Sequence, residues 1–290
     1  MKNLDLSTLP AKKRKQIVSC LRAGIQLLYF LFLPSVFTAA FNGVKYIFTQ
    51  LGQGEKIEMT AFVSALLLVC AFTIVFGRFF CGFACAFGSL GDAMHAIYGI
   101  ICKKCKKKPR CIKPELAKKL VLIKYGLLLL IALCCFAGVY QKARGTSPWD
   151  VFSMLHAGNF RLSSFIPGIV LLALILVGMF FEERFFCRFL CPMGAVFSLL
   201  PILPFFTLHR KRENCIRGCS ACTRQCPSAV ELPSDGSVEI SGDCFQCQKC
   251  IDTCPKGNIR CGVKELHGNE ILFTLFRAVF LLTLLLWAGI

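Results

Sequence analysis

Five apolar stretches set the rhythm of this chain: Ile17 to about Phe41, Thr60 to Phe80, Leu120 to Tyr140, Phe165 to Phe181 and Ile271 to Ile290. A helix needs about 20 predominantly apolar residues to cross a bilayer. Each stretch is therefore read as a membrane span, the first bent at Pro34. Residues 1–16 are polar and basic and resemble the charged front of a signal peptide. The apolar stretch behind them is too long for a signal h-region, and no convincing cleavage site follows. Two shorter apolar segments do not fit the scheme. Ala86–Ile101 carries Asp92 and His95 and is too polar for an ordinary span. It is placed at the cytoplasmic interface or dipping in from it. Met193–Phe206 is broken by Pro201 and Pro204.

Composition supports the membrane reading. The 290 residues are 56% hydrophobic, with a mean hydropathy of +0.63, too apolar for a soluble protein of this size. A net charge of +18 would suit nucleic acid, but its placement argues otherwise. Sixteen Lys and Arg lie at the start of the chain and in the loop 102–124, against five on the opposite loops, Lys45, Lys56, Lys142, Arg144 and Arg161. By the positive-inside rule the heavier side is cytoplasmic, and it suits anionic membrane lipid. No nucleic-acid partner is expected. The N-terminus is then inside and, after five spans, the C-terminus outside.

Twenty cysteines bring in chemistry. A disulfide framework needs an oxidising compartment and usually a small domain. The spacing points elsewhere. The chain reads Cys215-x3-Cys219-x2-Cys222-x3-Cys226-Pro227 and then Cys244-x2-Cys247-x2-Cys250-x3-Cys254-Pro255. This resembles a bacterial two-cluster ferredoxin, in which the fourth Cys of each run ligates the other cluster. The resemblance implies one [4Fe–4S] cluster on Cys215, Cys219, Cys222 and Cys254. It implies a second on Cys244, Cys247, Cys250 and Cys226. Paired structural zinc sites are the alternative, but zinc has no need of a fourth Cys at x3 followed by Pro. The opening x3, with Ile216 where x2 would put the Cys, departs from the standard first run. Asp235-Gly236 is expected to make a hairpin turn inside this unit.

A second set of thiols lies on an internal repeat. Arg78-Phe-Phe-Cys81-x-Phe83-x-Cys85-x-x-Gly88 recurs 106 residues later as Arg184-Phe-Phe-Cys187-x-Phe189-x-Cys191-x-x-Gly194. Each copy follows a two-span hairpin, so the repeat is parallel, about an axis along the membrane normal. Both pairs are expected at one depth near the cytoplasmic surface, beside the ferredoxin unit. Cys at i and i+4 share a helix face. Two such pairs converging make an S4 site suited to iron–sulfur or zinc, with Arg78 and Arg184 offsetting thiolate charge. A redox-active dithiol and simple packing of small buried hydrophobes stay open for Cys81, Cys85, Cys187 and Cys191.

Taken together, these residues resemble the polyferredoxin-type membrane 4Fe–4S proteins, which include NapH, the membrane half of NosR, and the copper-reducing ferredoxins of oxidase assembly such as CcoG. The resemblance covers about residues 17–262, and Trp149-Asp150 also resembles a family motif. The family commonly has Pro after the second Cys of each pair. Pro192 follows Cys191, but Ala86 follows Cys85. The resemblance implies an α-helical polytopic membrane protein of about five spans with internal duplication, in a prokaryotic cell (inner) membrane. Residues 1–207 would form the membrane domain (repeats 17–101 and 120–207). Residues 208–262 would form a cytoplasmic α+β ferredoxin domain, and 270–290 a closing helix. It implies electron transfer between a quinol or flavoprotein donor and a partner redox protein.

The remaining signals are weaker. Cys102, Cys105 and Cys111 sit among lysines, as a reactive trio or as incidental thiols of a solvated loop. Cys134 and Cys135 read as packing inside a span. Trp149, Asp150 and His156 supply either an acid–base group for a quinol pocket or an interfacial anchor with a satisfied loop His. Cys-x-x-Cys-His, Walker A and flavin-attachment motifs are absent from the sequence. Three functions remain: an electron carrier, a metal-ion or quinone reductase, and a redox-responsive regulatory or assembly protein. The carrier is favoured because every strong motif is a ligand set and no catalytic constellation is visible.

Overall fold

The structure is a computed structural model that describes residues 11–107, 112, 114–140, 145–160, 163–203, 206–210, 215–233, 239, 241–261 and 270–289. It is mostly helical. The first expected span is two helices, α1 (Ala11–Phe32) and α2 (Val36–Gln53), bent by 61° at the break around Pro34. The second helix runs on to Gln53, well past Phe41, and closes on Gly54 in the left-handed conformation that glycine tolerates. α3 (Ala61–Phe76) starts on Thr60, whose side chain accepts from the Val63 amide. It stops four residues short of the expected end and spans 16 residues.

α4 (Ala86–Lys104), α5 (Pro114–Leu120) and α6 (Leu122–Phe136) follow. Then come α7 (Pro148–His156), α8 (Ile166–Phe181) and α9 (Pro192–Leu199). Among the described residues, Glu115–Phe136, Ser163–Phe181 and Glu270–Trp287 are long and apolar enough to cross a membrane, and the bent pair α1–α2 qualifies if taken as one span. Their outward faces are apolar, with Leu129, Leu130, Leu174 and Phe276 all exposed. Such a surface is what lipid contact requires.

α2 packs on α3 and α6, and α4 lies along α8. α7 replaces what reads as an outer loop. Ser147 caps it by accepting from the Asp150 amide, and Pro148 opens its first turn. Trp149 is therefore no interfacial anchor. It is buried, with its ring edge-on to Phe41 at 5.0 Å, because α7 folds back against α2 and α8.

The Cys-rich unit has little regular structure. β1 (Leu208–Arg210) pairs antiparallel with β2 (Ile259–Cys261), tying its two ends together. Short helices α10 (Ala221–Arg224) and α11 (Lys249–Thr253) pack on each other between them. The expected hairpin turn at Asp235-Gly236 lies outside the described residues. α12 (Glu270–Trp287) closes the chain against α3.

Candidate iron–sulfur centres

The eight thiols of the ferredoxin-like unit sort into two places. Cys215, Cys219, Cys222 and Cys254 line one small cavity, floored by Ile259 and Asn258. Cys226, Cys244, Cys247 and Cys250 line a second, which Cys222 also edges. Each fourth thiol thus sits with the other run, as a crossed ligand pattern requires. Asn258 contributes its amide N–H to Cys254 Sγ (3.3 Å) and its side chain to Cys215 Sγ (3.8 Å). Arg210 Nη1 lies 3.6 Å from Cys222 Sγ. Donors aimed at sulfur suit thiolates that carry negative charge. The donor set therefore fits cubane ligation. Among the described residues no three His, Cys, Asp or Glu side chains gather closely enough for a single metal ion.

The repeated motifs fold alike. Phe80–Ala84 and Phe186–Leu190 are both single π turns, closed by Cys85 N–H to the Phe80 carbonyl and Cys191 N–H to the Phe186 carbonyl, each at 2.8 Å. Such turns widen a helix by one residue and often mark functional sites. The i,i+4 face argument needs correction here. The first thiol of each pair lies in the π turn, while the second is an extended N-cap, of α4 for Cys85 and α9 for Cys191. Cys191 Sγ accepts from the Gly194 amide at 3.1 Å.

All four thiols are buried. Cys81 acts electrostatically on Cys85, Cys187 and Cys191, and Cys191 also feels Cys85 and Cys187. The two pairs thus converge. Burial pushes the Cys187 thiol up to about 11 against the pull of Arg184. Burial and then the neighbouring thiols also push the Cys85 and Cys191 thiols up. Four thiolates do not persist there without a cationic partner.

The arginines of the repeat cross over. Arg184, from the second copy, donates to the carbonyls of Cys81 and Gly82 in the first, the latter at 3.0 Å. Its Nε and Nη2 clasp Asp92 at 2.8 and 2.5 Å. Arg78, from the first copy, reaches Ser198 Oγ (3.4 Å), four residues beyond Gly194, and the Gly242 carbonyl (3.0 Å). The motif's last position explains itself. A Cβ on Gly88 would meet Arg184 Nη1 at 2.6 Å, and one on Gly194 would meet Arg78 Nη2 at 3.0 Å.

The exchange is not symmetric. The same 106-residue offset that relates the copies sets Ser198 where the first copy has Asp92. Asp243 comes within 3.8 Å of Arg78 but is shared with Lys124 at 2.6 Å. Arg78 Nε and Nη2 are buried with no oxygen acceptor among the described residues, and the guanidinium bonds the Cys81 thiol and interacts by charge with Cys191. A buried cation beside four thiols fits an anionic iron–sulfur centre.

A cleft of about 470 Å³ opens beside these centres, between α1, α4 and α11. Arg22, Gln26, Asp92, His95, Glu183 and Lys249 line it, with Leu27, Phe30 and Leu90 as its apolar wall. Gln26 bonds both Asp92 (2.7 Å) and the Gly82 carbonyl (3.2 Å). The sequence marks Asp92 and His95 only as too polar for a span. That misplaced polarity was the available signal. His156 lies elsewhere, edge-on to Phe30 at 5.2 Å. Of the basic-loop trio, Cys102 is buried, Cys105 is exposed, and Cys111 lies outside the described residues. Cys135 is buried and Cys134 half-buried within α6.

Comparison with known proteins bears on these thiols. Residues 59–108 and 164–207 match the family model for a 4Fe-4S binding domain. Those segments carry the two repeat motifs. An uncharacterized protein of Methanocaldococcus jannaschii is 30% identical over 206 residues, 70% of this chain and 71% of its own length. The chain belongs to the polyferredoxin-type 4Fe–4S electron transport proteins. The putative electron transport protein YccM of Escherichia coli is 25% identical over 77% of this chain and 62% of its own. The ferredoxin-type protein NapH of Haemophilus influenzae is 23% identical over 72% and 70%. No solved structure matches this polyferredoxin.

Proposed function

We propose that this polyferredoxin is a membrane-bound electron carrier working through two [4Fe–4S] clusters, one on Cys215, Cys219, Cys222 and Cys254, the other on Cys226, Cys244, Cys247 and Cys250. The observation that carries this is the sorting of the eight thiols into two cavities by the crossed pattern. The clusters, when bound, supply one-electron redox chemistry. The chain's own residues orient the thiols and hold them partly out of water.

Cys81, Cys85, Cys187 and Cys191 form a third centre, of iron–sulfur type, balanced by Arg78 and Arg184. The cleft at Asp92 and His95 favours a quinol over a flavoprotein as membrane donor. It joins an apolar wall to the His95 imidazole, a group able to take a proton, with the Asp92 carboxylate held charged by Arg184 beside it. The ferredoxin unit is cytoplasmic and meets a partner redox protein. The reductase and regulatory readings have no comparable constellation behind them.

Anaerobic preparation tests the central reading. The eight ferredoxin-type thiols account for about eight irons per chain, with any third centre adding to that. Cys222→Ser and Cys250→Ser should each delete a different reduced [4Fe–4S] signal in electron paramagnetic resonance. Zinc in place of iron would defeat the assignment.

A further inference from the structure

The two thiol sets of the ferredoxin-like unit face opposite neighbours. The loop bearing Cys244 and Cys247 is pressed onto the first π turn. A Cβ on Gly82 would stand 2.4 Å from the Phe245 carbonyl oxygen and 3.5 Å from the Cys247 amide nitrogen. The Phe245 ring lies against both repeat arginines, 4.7 Å from Arg78 Cζ and 5.7 Å from Arg184 Cζ. Arg22 on α1 donates to the Cys247 carbonyl at 3.2 Å, and Lys249 pairs with Glu183. This loop is thereby fixed to the membrane domain at the four-thiol centre.

The other set looks outward. Cys219 is exposed, and Cys215 and Cys222 are half-buried. Around them Arg217, Arg224 and Lys256 are exposed, together with Pro255 and Ile216, the latter 51% exposed. The runs 215–226 and 254–260 hold no Asp or Glu. An exposed redox-ligand loop with an apolar centre and exposed basic side chains around it has the makings of a transient docking face.

We propose that the Cys215, Cys219, Cys222 and Cys254 face docks a small acidic one-electron carrier of flavin or iron–sulfur type. The Cys226, Cys244, Cys247 and Cys250 set then exchanges electrons with the membrane domain. This rests on the two-cluster reading above. One electron passes between the exposed set and the carrier's cofactor, with no bond made or broken. The basic rim steers the acidic partner and excludes basic ones. Brief, charge-guided contact suits a carrier that must leave after each transfer.

The test uses full-length holoprotein in zwitterionic nanodiscs, with an acidic flavodoxin as probe and basic cytochrome c as control. Flavodoxin should bind at low salt, and its affinity should fall about tenfold in Arg217→Glu/Arg224→Glu and again on raising salt. Cytochrome c should bind only the variant. Iron content should not change. Equal flavodoxin affinity in both proteins, or none in either, overturns the docking face. So does an Arg217→Glu/Arg224→Glu effect confined to anionic vesicles, which would assign the rim to lipid. The order is read separately. Gly82→Ala should perturb the paramagnetic signal that Cys250→Ser deletes and spare the one that Cys222→Ser deletes. The reverse pattern overturns it. Low iron in the wild-type protein would instead indict the two-cluster reading.

Discussion

Asp92 shows how much one residue holds. Its carboxylate receives Arg184 and Gln26, and Arg184 in turn carries the carbonyls of Cys81 and Gly82. Arg184 also adopts φ +59°, a left-handed conformation disfavoured for a side chain of its size. Its side-chain bonds keep it there. Burial by itself would raise the Asp92 carboxyl, but the Arg184 guanidinium overrides it and holds it down to about 2. The stability this contributes is present above the ordinary carboxylate value of 3.8 and is lost as pH falls toward 2. Asp92→Asn strands a buried guanidinium, at a cost of about 3–5 kcal/mol. Thermal unfolding in detergent should show that loss at pH 7. Matched melting curves at pH 7 would show that Arg184 finds another partner.

At the scale of elements, the paired π turns behave as one device. Each copy supplies one thiol inside its turn and one just past it, with an arginine two residues ahead; Arg184 holds the first turn's carbonyls, while Arg78 reaches Ser198 and the Gly242 carbonyl. If this device carries electrons, Cys81→Ala and Cys187→Ala should each stop reduction of the ferredoxin clusters by membrane donors. Reduction by dithionite should persist. The double variant should be no worse than either single one, as expected of residues acting as a unit. Normal reduction by membrane donors in the double variant would leave the thiols as packing. The i,i+4 spacing is legible in the sequence, but the π turn is not. It depends on where the widened helix finds room against the opposite copy.

For the whole molecule, the proposed orientation rests on the uneven distribution of Lys and Arg. Accessibility labelling of single-cysteine variants should place Lys107 and Asp235 on the cytoplasmic side, and Gly54 and His156 on the other. An outward Asp235 would invert the arrangement. The same experiment counts spans where helix length is ambiguous. α3 has 16 residues, and at 1.5 Å per residue it reaches only about 24 Å. The pair α1–α2 is bent by 61°.

Local covalent spacing carried a great deal. The two Cys runs, the duplicated Arg-Phe-Phe-Cys motif and the apolar stretches are written in order along the chain, and each implies its chemistry before any folding. Turn and cap chemistry is written locally as well. Ser147-Pro148 opens α7 where a loop was expected. Tertiary structure decided what spacing cannot express. It chose which arginine faces which turn, because a buried guanidinium goes where carbonyls and a carboxylate await it, whatever the sequence distance. It pressed Phe245 onto Gly82, 163 residues apart in the chain, because only a missing Cβ lets two backbones meet so closely. It also gathered α1, α4 and α11 around one cleft, since burying their apolar faces leaves the polar ones looking at each other.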